Sequence, residues 1–221
     1  MKLNEIIIDL QNLNKEIKSH DLWQYTEKLK SEYMQETYIT KPSDKKRLSG
    51  IKRVLNNKKN KCRPLLSCFT PLNDGGVVIT DSYQLYKLND DKLPFKVAFM
   101  NNYKSHDEYL QGNPDLKEQY GCYPNIENLI PETENAQTTI TTTTEYIEKL
   151  YKTTAKTNGI KIHTYKNDDI EFTINLEYLK NCIDILKLKG SFKILFYGMR
   201  KPLKIENESK EAAIILPIVK Y

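Results

Sequence analysis

The sequence predicts an α+β fold in which antiparallel sheets are backed by helices that share one face, and three observations carry that reading. A β-branched or apolar run feeds a short amphipathic helix three times: Glu36–Thr40 before a helix reaching Asn56, Thr138–Thr143 before Glu145–Lys152, and Ile170–Ile174 before Leu176–Leu186. After the first helix come three short runs, Pro64–Phe69, Val77–Thr80 and Tyr83–Leu88, with Gly75-Gly76 as a turn. After the third come Phe192–Tyr197, Leu203–Glu206 and Ala213–Val219. Strands joined by tight turns pair antiparallel, because a parallel crossover needs a dozen or more residues. A doubly wound parallel sheet is therefore not expected.

Taken in order, residues 4–34 read as helix. Ile7, Leu10, Leu13 and Ile17 recur at three- and four-residue spacing, as do Leu22, Tyr25, Leu29 and Tyr33. Ser19-His20-Asp21 breaks the pattern, with Asp21 as N-cap of the second piece, so the segment is a helical hairpin or one bent helix. Residues 101–136 are polar, contain Gly112-Asn113-Pro114 and show little periodicity, which predicts a long loop. Asp168-Asp169 sits between two strand-like runs and reads as a hairpin turn rather than a metal pair. Proline inside the last run, at Pro217, implies an edge or terminal strand because it cannot donate a ladder hydrogen bond.

Charge is unevenly placed. The net charge is +5, yet Lys41–Arg63 holds ten basic residues against the single acid Asp44, a local +9 that leaves −4 for the rest. A basic block on a mildly acidic chain is an electrostatic footprint for a polyanion. No apolar stretch approaches the roughly 20 residues that cross a bilayer, and the start of the chain carries no secretory signal pattern, so a cytoplasmic protein without a membrane partner is expected. Cys62, Cys68, Cys122 and Cys182 are scattered without a CxxC pair, which reads as free thiols in a reducing compartment. His20, His106 and His163 stand far apart among polar neighbours, and no GxxxxGK[ST] loop exists. Neither a catalytic constellation, a cofactor nor a metal is expected; the chain reads as a binding protein, not an enzyme.

Four segments, in order, resemble the bacterial DNA sliding clamp family, the beta subunit of DNA polymerase III. Lys46-Arg47-Leu48 … Arg53-Val54-Leu55 resembles the basic inner helix that opens the middle clamp domain. Val78-Ile-Thr-Asp-Ser-Tyr-Gln-Leu85 resembles the family's TD-x-x-R-L turn, with Gln84 where arginine is usual. Tyr123-Pro-Asn-Ile-Glu-Asn-Leu-Ile-Pro131 resembles the strand joining the last two domains. Phe172 to Tyr221 resembles the closing half of the last domain, ending in the apolar-Pro-apolar tail Ile214–Ile218. The resemblance covers roughly residues 36–90 and 121–221; residues 1–34 have no counterpart in it.

The resemblance implies βαβββ half-domains: a helical extension at 1–35, a first clamp-like domain or half-domain at 36–120, and a C-terminal one at 121–221. It implies a shortened processivity factor, of the kind a phage or mobile element would carry, acting as a homo-oligomer. Duplex DNA would be held without sequence reading by Lys45, Lys46, Arg47, Lys52 and Arg53, with Lys149, Lys152, Lys156, Lys180 and Lys187 adding to the lining. Polymerase or other partner proteins would dock short peptides in a cleft walled by Thr80, Ser82, Tyr83, Gln84, Leu85, Pro124, Leu129, Ile214, Leu216, Pro217 and Ile218. The rival expectation is a non-enclosing adaptor that binds peptides but not DNA. A third is a plain nucleic-acid-binding protein whose basic helix is its one device.

Overall fold

A computed structural model of the chain describes residues 3–38, 42–72, 75–89, 103–112, 126, 129–167 and 170–218. Two long helices come first, α1 (Leu3–Ile17) and α2 (His20–Tyr38), packed on each other as a hairpin. The break falls at Lys18, in the left-handed region at φ +50°, and the next residue caps: Ser19 Oγ accepts from Leu22 N at 3.3 Å. Ser19, not Asp21, thus opens α2. The strand expected at Glu36–Thr40 is corrected as well, since α2 continues through Tyr38. An established helix adds residues at the cost of one each, which outweighs the strand preference of a short Thr-Tyr pair.

Helix α3 (Pro42–Leu55) starts with proline, whose missing N–H costs nothing at a helix start. It buries Leu48, Ile51, Val54 and Leu55. Asn60, 1% exposed, then reaches the carbonyls of Val54, Leu55 and Leu66 with its amide, closing the helix end onto the following segment. That segment is not the strand expected at Pro64–Phe69. It forms two 3₁₀ turns, Lys58–Cys62 and Pro64–Ser67, before a two-residue strand β1 (Thr70–Pro71). Pro64 supplies no ladder donor, and its fixed φ suits the first turn position instead.

Strands β2 (Val77–Thr80) and β3 (Gln84–Leu88) follow. The β1–β2 turn closes with Leu72 N donating to Gly76 O at 2.8 Å, and Gly75 sits at φ +82°, where glycine meets no steric cost. The loop expected across 101–136 contains a short helix α4 (His106–Gly112) and a 3₁₀ turn at Thr133–Asn135. Next come β4 (Thr138–Thr143), α5 (Thr144–Thr153), β5 (Ile162–Lys166), β6 (Glu171–Asn175) and α6 (Leu176–Leu186). The chain then forms β7 (Ser191–Phe196), β8 (Leu203–Glu206) and β9 (Ala212–Ile215). Thr143 and Asn175 cap α5 and α6, accepting from Tyr146 N at 3.1 Å and Glu177 N at 2.9 Å. The turn read at Asp168-Asp169 lies outside the described residues.

Among the described residues one sheet has seven strands in the order β1-β2-β3-β9-β8-β7-β4, with every ladder antiparallel; β5 and β6 pair separately. The β3–β9 ladder joins the early and late parts of the chain in one sheet, Gln84 opposite Ile215 and Leu85 opposite Ile214. Helices α3, α5 and α6 lie on one face, with α6 touching both others. Between them and the sheet lies the main core, with Ile51, Ile79, Tyr86, Leu176, Ile185, Leu203 and Ile215 at its centre. Gly50 is where α3 and α6 approach: a Cβ there would come within 2.7 Å of Ile185 Cγ1.

Helices do not all share that face. A second cluster on the opposite side joins Val78, Leu85 and Ile214 to Leu65, Leu66 and Ile126, with Tyr109 and Leu110 of α4 and Ile130 packed against it. Successive strand residues point to opposite faces. Val77-Val78-Ile79 is continuously apolar because both faces of β2 are covered there.

Candidate peptide cleft and nucleic-acid face

The second cluster brings together three segments that are far apart in sequence. The β2–β3 turn is organised by Asp81, 1% exposed. Its Oδ1 accepts from Tyr83 N and Gln84 N, both at 3.0 Å, and its Oδ2 accepts from Gln84 Nε2 at 2.8 Å and Asn57 Nδ2 at 2.7 Å. Thr80 Oγ1 donates to Gln84 O at 2.8 Å and accepts from Ser82 N at 3.1 Å. With Ser82 at φ +75°, the turn pushes Ser82 and Tyr83 outward.

The tail lies beside this turn. Leu216 N donates to Tyr83 O at 2.9 Å, and Ile218 N donates to Thr173 O of β6 at 2.7 Å. The tail therefore bridges the large sheet and the two-stranded one. Pro217 sits between two donors that bond in different directions, so its missing N–H breaks no ladder. The third segment enters through Ile126 and Ile130, packed with Leu85 and Ile214.

The candidate wall residues divide by burial. Leu85 and Ile214 are both 5% exposed and form a floor, while Thr80 and Gln84 are consumed in holding the turn. Thr80 and Gln84 therefore serve the turn rather than the lining expected of them, while Leu85 and Ile214 are the base on which the exposed residues stand. Gln84 points inward, its Oε1 accepting from Tyr86 Oη at 2.9 Å and Asn181 Nδ2 at 3.3 Å. Surface is offered by Ser82, Tyr83, Leu129 and Leu216, with Pro217 and Ile218 half-buried. Pro124 lies outside the described residues.

Sequence reading missed Tyr178, whose ring stacks on Tyr83 at 6.4 Å. Burial, and next the nearby Asp81 charge, push its phenol up to about 12. It is spaced in α6 like any core residue, and only the fold sets it beside the turn. Asp81 was legible, because an aspartate in a turn bonds the backbone two residues on. Thr173, the tail's partner on β6, carried no signal.

The helix layer holds the basic candidates, and the structure sorts them. Arg47 is 3% exposed and forks onto Glu211 at 2.6 and 3.2 Å, so it is withdrawn from the phosphate contacts. Arg53 donates to Asn181 Oδ1 and Asp184 Oδ2, both at 2.7 Å; Lys180 pairs with Asp184 Oδ1 at 2.6 Å; Lys187 pairs with Asp44. These cations flank the close α3–α6 contact, where half-burial demands a counter-charge. Lys45, Lys46 and Lys52 on α3 and Lys149 and Lys152 on α5 are exposed and make no ion pair with the described residues; Lys156, just beyond α5, is exposed too. A crevice of about 440 Å³ is lined by residues of both regions, Arg53, Asn57, Gln84, Tyr178 and Asn181 among them.

Cys62, Cys68 and Cys182 are free thiols, Cys68 and Cys182 buried, and burial raises the pKa of both. Among the described residues no cluster of His, Cys, Asp and Glu is placed to hold a metal ion, and no helix is long and apolar enough to cross a membrane.

No protein-family model matches the sequence, nor does any curated protein. Solved structures do match. The DnaN sliding clamp (DNA polymerase III subunit beta) of Bartonella birtlesii, bound to griselimycin, aligns with a TM-score of 0.50 at 13% identity, over 78% of this chain and 64% of that one. The DNA polymerase sliding clamp of Bacillus subtilis aligns at 0.48 and 15% identity, over 81% and 63%. The Helicobacter pylori beta clamp bound to a DNA ligase peptide aligns at 0.48 and 13%, over 77% and 62%. The likeness to the Bartonella birtlesii clamp is one of fold. The chain spans less than two thirds of these neighbours' length.

Proposed function

We propose that this chain is a sliding-clamp-type processivity factor. It associates with duplex DNA without reading sequence, and it tethers a polymerase or another replication protein through a short peptide at the junction of turn, connector and tail. The observation that carries this reading is that junction: Tyr83 and Leu216 are exposed beside a buried floor of Leu85, Ile214 and Ile126. An apolar floor with a few polar groups at its rim is the chemistry that captures extended peptides. The exposed lysines of α3 and α5 support the DNA half, since phosphate contacts from helix lysines need no base contact. On this reading residues 36–120 and 121–221 are two clamp-like units sharing a sheet, 1–35 is an extension, and several copies in the cytoplasm complete the assembly around DNA.

The cleft is tested by calorimetry with griselimycin and with the DNA ligase peptide named above. Wild-type protein should bind at least one, and Leu216→Glu should abolish binding while keeping its melting temperature. No binding by the wild type would sink the cleft. A second reading, the non-enclosing adaptor, is favoured by one observation: Arg47 and Lys187 are paired with the buried Glu211 and Asp44, and Arg53 and Lys180 share Asp184. Mass in solution, with and without circular duplex, separates the two. A discrete oligomer retained on the circle favours the clamp; a monomer indifferent to DNA favours the adaptor.

A further inference from the structure

Lys204 is a lysine in the wrong place for a lysine. It is 6% exposed in the middle of β8, and side chains of this type are almost never so buried unless paired. Its ammonium donates to the carbonyl of Pro131 at 3.2 Å and to Thr133 Oγ1 at 2.9 Å, with Glu206 Oε2 at 3.4 Å. Two of these three oxygens belong to the connector that carries Ile130 into the cleft floor.

Among its described residues the connector is held by the packing of Ile126 and Ile130 and by few other polar ties. Its backbone bonds are local turns: Leu129 N to Ile126 O, Asn135 N to Glu132 O and Ala136 N to Thr133 O. Pairing with the sheet resumes at Gln137, which donates to Phe196 O at 2.8 Å. Across 129–136 the Lys204 bonds are the polar ties to the sheet among the described residues. Register places Lys204 opposite Ile214, and Ile214 opposite Leu85, so the ammonium stands two strands from the turn's own strand.

We infer that Lys204 is a positioning residue for the peptide cleft, fixing the connector wall against the sheet so that the cleft is formed before a peptide arrives. The inference rests on the cleft reading above. A charge carried into an interior is costly, and a methionine would fill the same space without that cost. What methionine cannot do is hold a carbonyl and a hydroxyl of a segment without ladder bonds. Preorganisation of this kind raises affinity by removing the ordering cost from the binding step.

The test uses Lys204→Met, Lys204→Arg and Thr133→Val in the full chain. Cleavage by a Glu-specific protease at Glu132 and Glu134, both exposed, reads the connector directly without any ligand. Lys204→Met should be cut there faster while cleavage elsewhere and the melting temperature hold, and it should bind griselimycin or the DNA ligase peptide roughly tenfold more weakly, the scale of ordering one interface segment. Lys204→Arg should restore both. Unchanged cleavage, or faster cleavage with unchanged affinity, would overturn the inference. Wild-type protein that binds neither probe removes the cleft reading itself, and the inference with it. Should Lys204→Met not fold, Thr133→Val, which removes one partner at an exposed site, must show the same two effects in weaker form.

Discussion

Arg47 and Glu211 meet as a buried fork across 164 residues of chain, Nη2 to Oε1 at 2.6 Å and Nη1 to Oε2 at 3.2 Å. Glu211 also accepts from Asn89 N at 3.1 Å and Asn207 Nδ2 at 2.9 Å. The pair therefore fastens α3 to the loop that opens β9. A buried pair is worth little against an apolar replacement of both partners, but breaking one side strands a charge.

Arg47→Met alone should accordingly destabilise by about 3–5 kcal/mol, whereas Arg47→Met with Glu211→Gln, which removes the stranded charge and keeps an acceptor for Asn89 N, should recover most of the loss. Urea melts of the two variants decide it. Equal stability for both would mean that the charges are not coupled in solution.

For DNA the sorting of cations makes a specific forecast. Reversing Lys45, Lys46 and Lys52 to glutamate should weaken duplex binding alike for all sequences. It should also flatten the salt dependence, by about 0.9 of slope for each phosphate no longer neutralised. Reversing Lys187 should act mainly on stability, since it already pairs with Asp44. Fluorescence anisotropy over a salt series reads both effects. A salt-insensitive wild type would point to the adaptor.

Gly50→Ala tests the packing of α3 on α6. Alanine is worth about 1 kcal/mol more than glycine in a helix interior, so an open site would be stabilised. Here the new methyl would meet Ile185 Cγ1 at 2.7 Å, and Ile185 is fully buried with nowhere to move. Overpacking of this sort costs roughly 1–3 kcal/mol, so a net loss is expected in thermal melts. A rise in melting temperature would show that the helices separate freely.

Tyr178 sets an alkaline limit. Its phenol is held protonated up to about 12 in the fold, against 10.0 unperturbed. The unfolded chain thus gives up this proton first, and stability falls as pH rises from about 10 towards 12. The contribution is fully present below pH 10 and disappears through that window. Tyr178→Phe should remove this component of the slope in denaturant melts taken across the range. An unchanged slope would mean that Tyr178 ionises as freely in the fold as outside it.

Much of the framework was legible because it is written in local periodicity. Val77–Thr80, Thr138–Thr143, Leu176–Leu186 and Leu203–Glu206 have the bounds read from residue pattern, since a short β-branched run or a 3.6-residue apolar repeat means the same wherever the chain lies. The turn, the connector and the tail were legible as motifs. Misreadings cluster where a short run carries weak preference: Glu36–Tyr38 was absorbed by the helix before it, and Pro64–Ser67 by a turn. What no local pattern could decide is partnership. Lys46 and Arg47 are neighbours in one basic run, yet the first is exposed and the second buried on an acid 164 residues away. Leu85 and Leu216 are both apolar residues near the junction, yet one is floor and the other rim. Such differences depend on which face a residue turns to its neighbours and on what the chain brings to meet it, and those are properties of the packed molecule alone.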